Sequence, residues 1–118
     1  MSITALLVDD EPLVLEVLAD YGRALGLDVV AESDAMSALD RLAAGQAFDL
    51  LITDVRMPDM DGIELARRAQ ATRPDLKIVL ATGYMPQITA DYPILAKPYL
   101  LRDLEQLLSG IGFAVPGL

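Results

Sequence analysis

The stretch Ile3-Thr4-Ala5-Leu6-Leu7-Val8-Asp9-Asp10-Glu11-Pro12 decides the fold class. A nearly unbroken apolar run of strand length stops at three acids in a row, and a proline follows. A strand with one wet face alternates apolar and polar residues. One that is apolar throughout is buried on both faces, as in a parallel sheet covered by helices. Beyond the acids, Leu13, Val14, Val17, Leu18, Tyr21 and Leu25 recur at three- and four-residue spacing. That periodicity predicts an amphipathic helix, with Pro12 in the first turn, where a missing N–H is tolerated, and Gly26 as its stop.

The same alternation repeats along the chain. Leu27 to Ala31 reads as a second strand, and a helix over about 35–44 follows, with Ala35, Leu39 and Leu42 inward and Gly45 ending it. Phe48 to Thr53 is a third strand that stops at Asp54. Asp61, with Glu64 three residues later, has the form of a capping box and opens a helix that runs to about Arg73 before Pro74 breaks it. Lys77 to Ala81 is a fourth strand, and Tyr92 to Ala96 a fifth. A last helix over about 99–109 carries Leu101, Leu104, Leu107, Leu108 and Ile111 on one side. No repeat, linker or low-complexity tract interrupts the pattern. The expectation is an α/β, doubly wound three-layer sandwich forming one domain over residues 1–118.

Bulk composition agrees and narrows the chemistry. At 118 residues the chain suits one domain, and 53% hydrophobic residues can build a core that must rest on Leu, Val, Ile and Ala, because Trp is absent. There is no cysteine, so neither a disulfide framework nor a thiolate site is available. There is no histidine, so any phosphohistidine must come from another molecule. A net charge of −9 argues against nucleic acid or an anionic membrane as partner, since both reward clustered Lys and Arg. Met1 to Val8 lacks a basic region and no apolar run approaches the roughly 20 residues needed to span a bilayer, so a cytoplasmic location is expected.

The polar residues of interest fall at strand ends. Asp9, Asp10 and Glu11 follow the first strand, Asp54 the third, Thr82 the fourth and Lys97 the fifth. Open parallel sheets bind ligands beyond the carboxyl ends of the strands, where strand order reverses. In the order 2-1-3-4-5, the first and third strands are neighbours there and Asp9 and Asp10 face Asp54. Two unit charges about 4 Å apart repel by roughly 1 kcal/mol in water and about 4 kcal/mol at an effective dielectric near 20. Protonation or a divalent cation relieves this, and an all-oxygen set with open positions suits Mg²⁺. Phosphoryl transfer needs an attacking oxygen, a bridging cation and donors for the equatorial oxygens. Asp54 can attack, while the metal, Lys97 and Thr82 can each hold one phosphoryl oxygen.

These residues stand in four motifs: Val8-Asp9-Asp10-Glu11-Pro12, Asp54-Val55-Arg56-Met57-Pro58-Asp59-Met60-Asp61-Gly62, Ala81-Thr82-Gly83 and Lys97-Pro98-Tyr99. In order and spacing they resemble the receiver domain of two-component response regulators over almost the whole chain. The resemblance implies a flavodoxin-like fold with Asp54 as phosphoacceptor. It implies Mg²⁺ held by Asp10, Asp54 and the backbone carbonyl of Arg56, with Asp9 acting through water. It makes Thr82 the switch hydroxyl and Lys97 the phosphoryl-binding lysine, and it implies a cis Lys97–Pro98 bond. The donor would be a histidine kinase or a histidine phosphotransfer protein. The chain would not be an enzyme beyond assisting its own phosphorylation and slow dephosphorylation. With no output domain following, it would act as a stand-alone module on a separate, unknown partner.

Two departures from the family pattern matter. Receivers usually carry Tyr or Phe three residues before the lysine, where this chain has Ile94, so Tyr84 and Tyr92 are the candidates for an aromatic switch. Thr82 and Lys97 stand only 15 positions apart. Residues 83–91 are too few for a helix of ordinary length beside a strand, and a shortened or irregular fourth helix is expected, as the mobile element of the switch. Leu80-Ala81-Thr82-Gly83-Tyr84 partly resembles the receiver subfamily with a Phe-Ala-Thr-Gly-hydrophobic-Tyr signature. Glu11 reads as a first-turn helix residue, Asp59 and Asp61 as loop and cap residues, and Tyr99 as a packing residue. Two rival functions stand beside the receiver: a partner-binding module without chemistry, which has no need of the full acid, hydroxyl and amine set, and an aspartate-nucleophile phosphohydrolase, whose motif places a second Asp where Arg56 sits.

Overall fold

The computed structural model describes residues 2–83 and 91–115. Five strands, β1 (Thr4–Val8), β2 (Asp28–Glu32), β3 (Leu50–Asp54), β4 (Lys77–Thr82) and β5 (Ile94–Ala96), form one parallel sheet in the order β2-β1-β3-β4-β5. Between and after them run α1 (Pro12–Ala24), α2 (Ala35–Ala43), α3 (Gly62–Thr72) and α4 (Leu101–Gly110).

The period-two geometry of a strand sends neighbouring side chains to opposite faces, and here both faces are dry. Ala5 and Leu7 of β1, with Ile52, Val79 and Ala81, join Leu18 of α1 and Leu104 and Leu108 of α4 in one cluster. Leu6 and Val8, with Leu51, Ile78 and Leu80, join Ala35 and Leu42 of α2 and Leu65 and Ala69 of α3 in the other. Each fully buried Leu or Ile is worth about 1.5–3 kcal/mol, so the two layers fix the sheet register. That register pairs Val8 with Thr53, Asp54 with Ala81 and Thr82 with Ala96. The residues that follow Val8 and the last residues of β3 and β4 therefore come out at one edge of the sheet.

Helix boundaries follow local chemistry. Gly26 and Gly45 take φ of 86° and 88°, a left-handed turn that ends α1 and α2 without strain in glycine. At the start of α2, Asp34 accepts from Ser37 N–H at 2.7 Å, and Asp59, from the β3–α3 loop, accepts from Ala35 and Met36 N–H at 3.0 and 3.1 Å. At its end, Arg73 donates to the carbonyls of Leu42 (3.0 Å) and Gln46 (2.7 Å). Residues bracketing α3 thus satisfy both ends of α2.

Strand β3 begins at Leu50 instead of Phe48 and includes Asp54, and three further sequence expectations shift. Asp61 caps α3 through Ile63 N–H at 2.7 Å, but Glu64 turns outward to Arg67 and Arg68 instead of closing a capping box. Strand β5 begins at Ile94 instead of Tyr92; Pro93, with no N–H, limits the ladder. Helix α4 begins at Leu101, two residues later than expected, because Leu100 is extended and its N–H is taken by the Asp103 carboxylate at 2.7 Å. The shortened or irregular fourth helix, and Tyr84 with it, lie outside the described residues.

Candidate functional site

Asp9, Asp10, Asp54, Thr82 and Lys97 converge at the carboxyl ends of the strands. Asp9 and Thr82 are 1% and 2% exposed and Asp54 7%, a degree of burial that a carboxylate or hydroxyl does not reach without partners. One carboxylate oxygen from each of Asp9, Asp10 and Asp54 lies within 4.8 Å of the others. Lys97 reaches in from the end of β5, its Nζ 3.0 Å from Asp9 Oδ2 and 3.2 Å from Asp54 Oδ1.

The backbone holds these groups in place. Glu11 N–H donates to Asp9 Oδ1 at 2.9 Å, and Val55 N–H to Asp54 Oδ1 at 2.9 Å, which fixes both carboxylates from behind. Thr53 Oγ1 donates to the Asp54 carbonyl at 2.9 Å within β3, and Lys97 N–H donates to the Thr82 carbonyl at 2.9 Å, which ties the end of β5 to the end of β4. The Lys97–Pro98 peptide is cis. Gly62, first residue of α3, donates its N–H to the Val55 carbonyl at 2.8 Å; a Cβ there would lie 1.9 Å from the Asp54 carbonyl oxygen. Only glycine lets α3 begin this close to the end of β3.

Charges in this pocket compete. Burial pushes the Asp54 carboxyl above the usual carboxylate range, Lys97 pulls it back and the Asp9 charge pushes it further up. Burial works against the Lys97 ammonium, but the hydrogen bond and charge of Asp9, with those of Asp54, outweigh it and raise Lys97 above its ordinary value. Asp9 and Asp54 share the Lys97 ammonium, and Asp10 adds a third carboxylate to the cluster. The donor set is all oxygen, and acids clustered this closely fit a small hard divalent cation.

Every sequence-predicted site residue within the described part, save one, lies at this edge or next to it. Arg56 stands two residues after Asp54, and Pro98 follows Lys97 directly. The exception is Tyr92, which lines a cleft with Leu76, Lys77 and Asp91 at the amino ends of β4 and β5, at the opposite end of the sheet from Thr82. Beside Lys97, an apolar cleft of about 430 Å³ runs between Leu13, Val14 and Val17 of α1 and Pro98 and Tyr99. Sequence reasoning missed the reach of Asp59 and Arg73 to α2 and the crowding at Gly62. The first two are contacts across 20 or more positions with no local signal, and for Gly62 the only signal was its place in the Asp61-Gly62 motif.

The family model for the response regulator receiver domain matches residues 5–108. The chain belongs to the receiver domain family. As a receiver it is a phosphoacceptor of two-component signalling. It is 42% identical over 106 residues to the response regulator receiver protein CpdR of Brucella abortus, covering 84% of this chain and 88% of that one. It is 35% identical over 112 residues to the DNA-binding transcriptional regulator NtrC of Azospirillum brasilense, but spans 23% of that protein's length against 89% of its own. Among solved structures, the receiver domain of the hybrid histidine kinase CckA superposes with a TM-score of 0.79 at 30% identity, over 91% of this chain and 96% of that one. Among the described residues of this receiver, no helix is long and apolar enough to cross a membrane.

Proposed function

We propose that Asp54 is the phosphoacceptor of this receiver and that residues 1–118 act as one signalling module on a separate protein. The convergence of Asp9, Asp10 and Asp54 within 4.8 Å, with one lysine spanning two of them, carries this reading. Asp54 Oδ1 is engaged by Val55 N–H and Lys97, which leaves attack on phosphorus to Oδ2. The new P–O bond forms as the P–N bond of a phosphohistidine breaks, and the donor imidazole leaves in its neutral form. Because the chain has no histidine, the donor is a histidine kinase or a histidine phosphotransfer protein. The apolar cleft beside Lys97, with Leu13 76% exposed, is surface such a partner can cover.

Mg²⁺ fits the acids. Asp10, Asp54 and the Arg56 carbonyl would hold it, with Asp9 acting through water, and when bound it supplies the positive charge that phosphoryl transfer requires. Lys97 neutralises a second phosphoryl oxygen and the Thr82 hydroxyl donates to a third. Asp9 and Lys97 hold each other until the phosphoryl group arrives. The chain turns over no external substrate and only assists loading and slow loss of its own phosphoryl group.

Acetyl phosphate with Mg²⁺ should add one phosphoryl mass to the intact protein, and Asp54→Asn should take up none. A folded wild-type chain that gains no mass with either acetyl phosphate or a phosphorylated histidine donor overturns the assignment.

A further inference from the structure

One buried polar group near the site has no role in the chemistry above. Tyr99 follows Lys97 and Pro98 directly and is 9% exposed. Its ring packs edge-on against Tyr21 of α1, centroids 6.2 Å apart at 65°, within the cluster that contains Leu18, Leu104 and Leu108. Its hydroxyl is shut off from solvent and has no hydrogen-bond partner; among the described residues it is the only buried side-chain polar atom so placed. Leaving a buried donor unpaired works against the state that contains it by roughly five- to hundredfold in an equilibrium constant. The same ring without the oxygen would fill the space and avoid that cost, so the oxygen needs a reason.

The surroundings supply one. Tyr99 lines the same cleft as Lys97, the residue that spans Asp9 and Asp54. Burial, with the charges of those acids, holds its pKa above the ordinary tyrosine value, so the hydroxyl stays a neutral O–H donor. The unmodified acids are already served: Asp9 by Lys97 and Glu11 N–H, Asp54 by Lys97 and Val55 N–H. Phosphorylation adds a charge of about −1.5 to −2 at Asp54 and three acceptor oxygens, and it draws Lys97 away from Asp9. Asp9 then loses its lysine partner and has acceptor capacity to spare. We propose that Tyr99 is a positioning residue whose hydroxyl is unpaired in the unmodified chain and gains an acceptor only when Asp54 is loaded, biasing the chain toward its phosphorylated form. The proposal rests on Asp54 being the acceptor. It gives the segment after β5 an aromatic switch that does not require a ring at Ile94. Because Tyr99 leads directly into α4, a change in its pairing is delivered to that helix.

Tyr99→Phe tests this, since it keeps the ring and removes only the oxygen. The unmodified Phe variant should melt above wild type, because the unpaired donor is gone. Its affinity for beryllofluoride with Mg²⁺, read from the ¹⁹F resonance of the bound phosphoryl mimic, should be about five- to tenfold weaker, because the loaded state loses a hydrogen bond. In wild type labelled at tyrosine Cζ, the Tyr99 resonance should move on adding beryllofluoride. Equal affinity in the two chains, a Phe variant that melts lower than wild type when unmodified, or a stationary Tyr99 resonance each overturns the proposal. Wild type that binds no beryllofluoride while folded would instead remove the Asp54 reading on which it rests, so the two failures are distinct.

Discussion

Replacing Asp54 by Asn should stabilise the metal-free protein at neutral pH. Asp54 lies within 4.8 Å of a carboxylate oxygen of both Asp9 and Asp10. At an effective dielectric near 20, one such pair repels by about 3.5 kcal/mol. The Lys97 ammonium at 3.2 Å returns about 5 kcal/mol on the same scale. Asp10 is partly exposed, so its share is screened further, and burial of the Asp54 charge adds to the unfavourable side. The balance is a net penalty of about 1–2 kcal/mol. Asparagine keeps an Oδ1 to accept from Val55 N–H and Lys97 while removing the charge. For a chain of this size, 1–2 kcal/mol corresponds to roughly 4–10 °C in Tm. The pH dependence has a definite sign. A carboxyl whose folded pKa is raised favours folding while protonated, so its contribution is present below the ordinary carboxylate pKa and lost as pH rises through the raised folded value. The advantage of Asp54→Asn should therefore be full at pH 7 and vanish in acid. Saturating Mg²⁺ should also shrink it, because wild type then gains a counter-charge that the variant holds less tightly. Thermal melts of both chains from pH 4 to 8, with chelator and with Mg²⁺, check this. An Asn variant that melts at or below wild type at pH 7 without metal would refute the reasoning, as would a gap that does not change with pH.

Gly62→Ala should cost about 2–4 kcal/mol, because a Cβ 1.9 Å from the Asp54 carbonyl forces α3 off the end of β3; equilibrium denaturation reads the loss, and a change under 1 kcal/mol would contradict the geometry. Lys97→Met should destabilise the metal-free chain by about 1–3 kcal/mol by leaving Asp9 and Asp54 face to face, and adding Asp54→Asn should recover part of that loss, a coupling measured by a double-mutant cycle. Asp59→Ala should cost about 1 kcal/mol by uncapping α2, with faster amide exchange at Ala35 and Met36 and unchanged phosphorylation of Asp54; protection that stays intact at those two amides would show that Asp34 caps the helix alone.

Most of the layered architecture was legible because its signals are local. Continuous apolar runs such as Ala5 to Val8 can be buried on both faces only in a covered parallel sheet, and Leu18, Leu42 and Leu104 fall inward where helical spacing puts them, whereas Leu13 and Val17 of the same stripe as Leu18 stay exposed. The site was legible for a related reason: a polar residue that ends an apolar strand has nowhere to go but the sheet edge, so Asp9, Asp54, Thr82 and Lys97 could be placed before their neighbours were known. What escaped were interactions whose partners are distant in sequence. Glu64 met every local criterion for a capping box, yet two arginines on its own helix compete for it. Asp59 looked like a loop residue because its partners, Ala35 and Met36, stand 24 and 23 positions away. Nothing local distinguishes a Tyr99 with a satisfied hydroxyl from one without.

The arrangement of forces explains why this edge of the sheet can signal. Two apolar layers, each contributing many kilocalories, dictate the register of β1 against β3 and of β3 against β4, and the acids are carried together as a consequence. The repulsion they suffer is small against that total and cannot unfold the sheet. It is comparable to the 1–3 kcal/mol by which coupled sites commonly bias one another, so it can decide between two arrangements of the same fold. On the proposed reading, a charge added at Asp54 acts where carboxylates already crowd one another. Lys97 and Thr82 lie on the two strand ends joined by a backbone hydrogen bond, so a side chain drawn toward a loaded Asp54 pulls on both. If Asp54 is the acceptor, the stability of the core and the instability of the acid cluster are both required: the first keeps the groups in register, and the second lets their rearrangement respond to a single phosphoryl group.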